Sequence, residues 1–171
     1  MAEVQKRDSR IAAGFTLPEL LIVVAIVAVV ALVAAPWFAR VSQRNKLRSG
    51  AREVQTTLLA ARMIAVRAGQ PASVRITPAP AGTAHHRLET WLEAAPPRRV
   101  RELLLTTQVR FVTLPPGNDI VFTADGRRVP PSTVHEDIVI EGPVGSALAN
   151  QITLQTWENG RVEFVLPTEW R

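Results

Sequence analysis

One acidic side chain stands where a charge is costly. Glu19 directly precedes a run of twenty residues, Leu20 to Ala39, that contains no charged residue. A helix of that length can cross the ~30 Å hydrocarbon core of a membrane. An ionisable group at the rim of such a span needs a cationic partner or the positive end of a helix. Glu19 is therefore the first candidate for a functional residue.

Few other residues could carry chemistry. His85 and His86 are adjacent and Glu89 follows, which is a possible metal-binding set, although a solvated loop fits the sequence better. Glu136 and Asp137 are neighbours, so a strand would point them to opposite faces, which is poor geometry for an acid–base pair. The sequence has no Cys, no G-x-S-x-G and no phosphate-binding glycine loop. We predict a non-enzyme with no catalytic residue, cofactor or metal site.

The junction ahead of the apolar run has a specific pattern. Residues 14–19 read G-F-T-L-P-E, and a short charged leader, residues 1–14, precedes the cut that this pattern suggests. A secretory signal would place its cleavage site after the apolar run instead. The stretch Gly14 to Pro36 resembles the type IV prepilin signal, which a dedicated inner-membrane peptidase cuts after the glycine. An uncleaved signal anchor is the alternative.

The resemblance implies roles for three residues. Prepilin peptidase would cut between Gly14 and Phe15, and Phe15 would then be N-methylated. Glu19, as the fifth mature residue, would pair with the N-terminus of a neighbouring subunit during filament assembly. An intrachain alternative, in which Glu19 interacts with its own helix N-terminus, is also open. The implied partners are major and minor pseudopilins, the prepilin peptidase, the inner-membrane assembly platform and secreted cargo.

A single long helix is predicted over residues 15–68, spanning a membrane at about 17–39. Pro36 lies inside the apolar run, so it removes one helical hydrogen bond and is expected to kink the helix, unless the helix ends there at the membrane face. Residues 40–68 are expected to be amphipathic and to end before Gly69 and Pro71. Their apolar positions recur at steps of four and three: Leu47, Ala51, Val54, Leu58, Ala61 and Ala65.

Residues 69–171 have the composition of a β-rich globular domain. Asn159-Gly160 and Asp125-Gly126 predict turns. Loops are expected at residues 79–84, 130–133 and 143–150. We therefore predict an α+β fold of pilin type, a long N-terminal helix packed on an antiparallel β-sheet or β-sandwich. The predicted strands lie within residues 73–77, 88–93, 109–114, 120–123, 138–140, 151–155 and 161–166.

A second, weaker resemblance narrows the family. The sequence F-T-A-D-G-R at residues 122–127 is similar to the F-x-P-D-G-R element of the GspH/FimT family, with Ala124 in place of the usual proline. A final hairpin with Gly160 at its turn also fits that family. The resemblance implies a minor pseudopilin of a type II secretion system, assembled into a periplasmic pseudopilus. The alternative is a FimT-like minor type IV pilin that acts in pilus assembly or DNA uptake.

Two short basic clusters raise the question of DNA binding. They are Arg98-Arg99-Val100-Arg101 and Arg127-Arg128, in a chain of formal charge +5. FimT-like minor pilins bind DNA through a G-R-x-R element, but residues 160–163 here read G-R-V-E. Glu163 would repel phosphate. We therefore expect a solvated arginine-rich surface and no DNA partner.

The orientation in the membrane rests on conflicting signals. Three Lys or Arg residues precede the apolar run and five follow it, which alone would put the globular domain in the cytoplasm. The prepilin resemblance implies the opposite. On that ground we expect a single-pass protein of the bacterial inner membrane with a periplasmic C-terminal domain.

Overall fold

A computed structural model describes residues 16–79, 86–105, 109–129, 135–142 and 151–166. The Gly14–Phe15 junction and His85 lie outside these ranges. So do the predicted loops at 130–133 and 143–150 and most of the one at 79–84.

One long helix and eight strands form the described part of the chain. Helix α1 spans Leu17–Ala68. A short 3₁₀ turn at Pro116–Asn118 precedes the fifth strand. The strands are β1 Ala72–Thr77, β2 His86–Leu92, β3 Arg98–Leu105, β4 Arg110–Thr113, β5 Asp119–Phe122, β6 His135–Glu141, β7 Gln151–Trp157 and β8 Val162–Val165.

The chain divides into two compact units, Met1–Ala39 and Arg40–Arg171. In the first unit, the described residues form the N-terminal part of α1, and their side chains are exposed. The second unit holds the rest of α1 and both sheets. Helical structure continues through Pro36, so the alternative of a helix end there is wrong. A kink at Pro36 stays a prediction.

The second half of α1 buries one stripe of small and apolar side chains. All six residues of the predicted stripe, from Leu47 to Ala65, are fully buried. Gly50 and Thr57 extend the same face. The helix ends where Gly69 turns to φ 62°, and the Gln70 amide donates to the Ala65 carbonyl at 3.2 Å. This is the Schellman ending that a glycine after the last turn makes possible, and it confirms the predicted stop.

Two antiparallel four-stranded sheets close the core around this helix face. One has the order β3-β2-β1-β5 and the other β4-β6-β7-β8. β6 and β7 alternate strictly between buried and half-buried residues, as strands with one face on a core do. Side chains of α1 also bond to the second sheet, since Gln55 Nε2 donates to the Val162 carbonyl at 3.1 Å. The predicted fold, a long helix packed on antiparallel sheets, is confirmed.

The sequence failed to predict strand β3. Residues 98–101 looked like a basic cluster, but they pair with β2 as the edge of the first sheet. Six of the eight side chains in β3 are exposed, so the strand has no alternation of apolar and polar residues for sequence analysis to detect. An irregularity in register opposite Thr90 and Trp91 disturbs the period further.

Two glycine turns meet against α1. Gly126 has φ 80° and Gly160 has φ 77°, which confirms both predicted turns. Arg62 lies between them, because its Nε donates to the Gly126 carbonyl at 2.9 Å and would be 2.8 Å from a Cβ at position 160. That added Cβ would also lie 2.1 Å from the Gly126 carbonyl oxygen. Position 160 therefore needs glycine both for its backbone angle and for space.

We predict that Gly160→Ala destabilises the chain far more than Gly69→Ala. Both positions have positive φ, which costs a residue with a Cβ about 1–2 kcal/mol. No atom lies within 4 Å of a Cβ built on Gly69, so this cost is all that the control variant should show. At Gly160 the overlap with backbone adds about 1–3 kcal/mol or more. Urea unfolding of the full chain in detergent, followed by tryptophan fluorescence, measures both. Equal losses of unfolding free energy would contradict the packing of the two turns.

Candidate functional site

Glu19 lies in the first turn of α1, at the edge of the described chain. Its side chain is exposed. The helix begins at Leu17, and the Leu20 amide donates to the Thr16 carbonyl at 3.2 Å. Pro18 fits this turn because the first amides of a helix have no partner within it. A carboxylate here lies near the positive end of the helix dipole, a favourable interaction in either of the two roles expected for it.

The apolar run that follows has no cover within its own unit. Its large apolar side chains are exposed by between 49% at Val23 and 82% at Leu32. By length and composition this part of α1 can cross a membrane. It is not the core helix of a soluble domain, because none of its most apolar window is buried. So large an apolar surface requires lipid or the apolar surface of other chains.

A second exposed stripe lies on the half of α1 that carries the sheets. Leu59, Met63 and Val66 are 37%, 53% and 52% exposed, and they are separated by four and three residues. At 100° per residue this stripe points away from the buried one. Spacing of this kind suits packing against another helix. These residues were not among the predicted functional positions, although their repeat of four and three in the sequence indicates a second apolar face.

His86 is buried at the start of β2, so the expectation of a solvated loop is wrong for it. Its Nδ1 accepts a hydrogen bond from the Ala79 amide at 2.9 Å, and its Nε2 lies 2.8 Å from the Val109 carbonyl oxygen. The ring packs edge-on against Phe111. This pattern fits a neutral ring protonated on Nε2, and burial lowers the pKa of His86.

Glu89 is the third member of the possible metal-binding set, which fits the sequence less well than a solvated loop does. Its carboxylate accepts hydrogen bonds from Arg99 at 2.9 Å and from the Trp91 indole at 3.2 Å. These partners, Arg99 above all, hold the pKa of Glu89 below its usual range. Glu89 therefore belongs to an ion-pair network on the β2–β3 hairpin. Within the ranges that the structure describes, no three His, Cys, Asp or Glu side chains form a group that could hold a metal ion.

Arg128 corrects the prediction of a solvated basic surface. Arg127 is exposed and pairs with Asp125 at 3.3 Å, but Arg128 is fully buried and lies 3.2 Å from Glu136. Burial raises the pKa of Glu136, and the charge of Arg128 opposes that rise. The backbone of Arg128 also forms an isolated β-bridge with Phe122 of the first sheet, whereas Glu136 belongs to the second sheet. The pair thus ties the sheets together and has no part in a surface site.

Residues 160–163, which stand in place of the G-R-x-R element, lie at the turn before β8 and at its start. Arg161 follows the Asn159-Gly160 turn, and its guanidinium contacts the carboxylate of Glu163. Arg98 and Arg101 are exposed on the edge strand β3. Four of the arginines considered for phosphate binding therefore have a carboxylate beside them: Arg99, Arg127, Arg128 and Arg161.

Comparison with known proteins adds two findings. Residues 9–35 match the model of the prokaryotic N-terminal methylation motif. The fold is similar to the crystal structure of the type IV minor pilin FimU of Pseudomonas aeruginosa strain PAO1, with a TM-score of 0.52 and 19% identity over 76% of this chain and 94% of that one. No curated protein matches the chain. The chain is thus pilin-like in two respects, its N-terminal motif and its fold.

We predict that His86 makes stability depend on pH. Its folded pKa lies below the value of about 6.5 for the unfolded chain, so below that pH the unfolded state binds the proton more readily. The stabilisation that comes from the neutral His86 ring is fully present above about pH 6.5. As the pH falls below that value, the free energy of unfolding decreases by at most about 1.4 kcal/mol per pH unit.

The variant His86→Gln isolates this effect, because glutamine keeps an amide donor and does not titrate. The difference in unfolding free energy between the wild type and the variant should shrink between pH 7.5 and 5, a window set by the reference pKa of about 6.5. Denaturant unfolding at each pH measures it. A constant difference across the range would contradict the neutral, buried ring.

Proposed function

We propose that the chain is a minor subunit of a filament that assembles from the bacterial inner membrane. The observation that carries this proposal is helix α1 itself. Its N-terminal half bears most of the methylation motif and an uncovered apolar surface, while its C-terminal half packs one face into the core of a β domain. A protein built in this way is anchored by a single span of about residues 17–39 and presents its globular unit outside the bilayer.

In this proposal the leader is removed between Gly14 and Phe15. The cut creates a positive α-amino group on Phe15, four residues before Glu19. The carboxylate then pairs with the N-terminus of a neighbouring subunit, since an unpaired charge in a low-dielectric helix bundle costs several kcal/mol. Leu59, Met63 and Val66 supply a packing surface further along the same helix. The partners are the other pilin-like subunits, the prepilin peptidase and the assembly platform.

For the system in which it works, we favour a type II secretion pseudopilus. The resemblance of residues 122–127 to the GspH/FimT element supports this assignment. These residues form a tight turn, in which the Gly126 amide donates to the Thr123 carbonyl at 2.9 Å and the Thr123 amide donates to the Arg127 carbonyl at 2.8 Å. The globular unit then lies in the periplasm, where it contacts other minor subunits or secreted cargo.

A type IV pilus is the second candidate, and the likeness to FimU favours it. A role in DNA uptake has less support, because Glu163 occupies the place of the second arginine and contacts Arg161. For an enzymatic role we find no supporting observation among the described residues. His86 is held by backbone groups, and Glu89 and Glu136 lie beside Arg99 and Arg128.

We predict that the mature protein begins at Phe15 with a methylated α-amino group. Intact-mass and N-terminal peptide analysis of the protein from its native host would show the loss of residues 1–14 and one added methyl group. Gly14→Leu should block both changes, while Ala13→Leu, beside the cut, should leave them. A native N-terminus at Met1 would overturn the proposed processing.

We predict that Glu19→Ala and the isosteric Glu19→Gln both insert and are processed but fail to join the filament. Glu53→Ala, which removes an acid from the domain half of the same helix, is the matched control and should assemble. Complementation of a deletion strain measures the result, with exoprotein secretion and surface pili scored separately. Loss of secretion alone supports the pseudopilus, and loss of pili alone supports the pilus. Normal assembly of Glu19→Gln would exclude the ion pair.

A further inference from the structure

A block of positive charge follows the apolar run directly. Five basic residues occur between positions 40 and 52, and Glu53 is the first acid after Glu19. All five are exposed on α1. Four of them recur every fourth residue and so lie along one side of the helix. We call these five residues the basic stripe: Arg40, Arg44, Arg48 and Arg52 on one side of the helix, and Lys46 on the opposite side.

The beginning of the stripe is within electrostatic reach of a membrane surface at the end of the span. At 1.5 Å per residue, Arg40 lies at most ~1.5 Å beyond Ala39 along the helix, Lys46 ~10 Å and Arg52 ~20 Å. Any tilt only shortens these heights. Exposed charges are largely screened beyond a Debye length of about 8 Å at physiological salt. Arg40 and Lys46 therefore respond to surface charge more strongly than Arg52.

The residues just before the stripe also suit a membrane surface. Trp37 and Phe38 are 67% and 69% exposed at the end of the apolar run. Aromatic side chains, Trp above all, are enriched at the level of the lipid headgroups. A guanidinium one turn further on can then bond a phosphate with two parallel N–H groups. The order apolar run, aromatic pair, basic stripe matches the order of tail, interface and headgroup in a lipid monolayer.

We propose that the basic stripe binds anionic phospholipid headgroups where the span leaves the membrane. Arg44 and Arg48 have other interactions within the protein, so the proposal rests on Arg40 and Lys46. It rests on the proposed membrane span, but it holds for either orientation of the globular unit. A subunit that joins a filament has to leave these lipids, so the stripe favours the membrane-bound pool over the assembled form.

Trp37 is a built-in reporter for the test. The full chain, which has four tryptophans, is reconstituted in phosphatidylcholine bilayers. The fraction of its fluorescence that is quenched as brominated phosphatidylcholine or brominated phosphatidylglycerol is added reports on Trp37, the tryptophan at the end of the apolar run. The ratio of the two quenching curves gives the preference for the anionic lipid. Each cation near the surface should contribute up to about fivefold, and the preference should fall as salt is raised.

Arg40→Gln/Lys46→Gln should remove most of this preference, and Arg40→Gln should remove more than Arg52→Gln. Arg98→Gln/Arg101→Gln is the matched control, since it deletes two exposed charges on the edge strand β3. An unchanged preference in the first variant, or an equal loss in the control, would overturn the proposal. Equal quenching of the wild type by both lipids would also overturn it while leaving the span intact. No quenching by either lipid would reject the span, and with it the proposed function.

Discussion

The burial of one side of a helix that continues beyond its own domain is the constraint on which the structure depends. The buried stripe from Leu47 to Ala65 combines large and small residues, and its fully buried leucines contribute roughly 1.5–3 kcal/mol each. The small residues, Gly50 and three alanines, let the sheets approach the helix backbone. Because both sheets close on this face, the β domain fixes the rotation of the second half of α1. The exposed stripe of Leu59, Met63 and Val66 takes its direction from that burial.

Polar contacts complete the domain at the end where its two turns meet. Arg62 joins α1 to the Gly126 carbonyl, and the Arg128 amide donates to the Glu158 carbonyl at 2.9 Å. The Arg128–Glu136 pair lies behind these turns and links the sheets. Deleting one member of such a pair is costly, typically about 3–5 kcal/mol, whereas the intact pair adds little over a well-packed apolar substitute. The Arg128–Glu136 pair therefore contributes less to the free energy of folding than to the way in which the two sheets are positioned against each other.

Features set by local periodicity could be predicted from the sequence, and features set by distant contacts could not. The helix stop at Gly69 and the two glycine turns follow from neighbouring residues alone. The buried stripe follows from a repeat of four and three. Nothing near His86 in the sequence indicates that the Val109 carbonyl will cover it. Arg128 looks like its neighbour Arg127 until the second sheet supplies Glu136. Strand β3 had no periodic signal because most of its side chains are in solvent on both faces of this edge strand, so no alternation of apolar and polar residues is required.

The composition of the apolar run bears on how the proposed assembly could be specific. Between Glu19 and Arg40 the helix has no charged side chain, and up to Pro36 it has no side chain that could select a partner or a register by hydrogen bonding. Lipid is as apolar as Leu or Val, so the hydrophobic effect gives such helices no reason to associate within a membrane. Close packing supplies attraction but, along a smooth run of Ala, Val, Ile and Leu, little preference between neighbouring registers. A single carboxylate at one end changes this, because only the register that brings a cation to it avoids a buried unpaired charge. In the proposed filament, Glu19 therefore matters less for the strength of association than for its alignment.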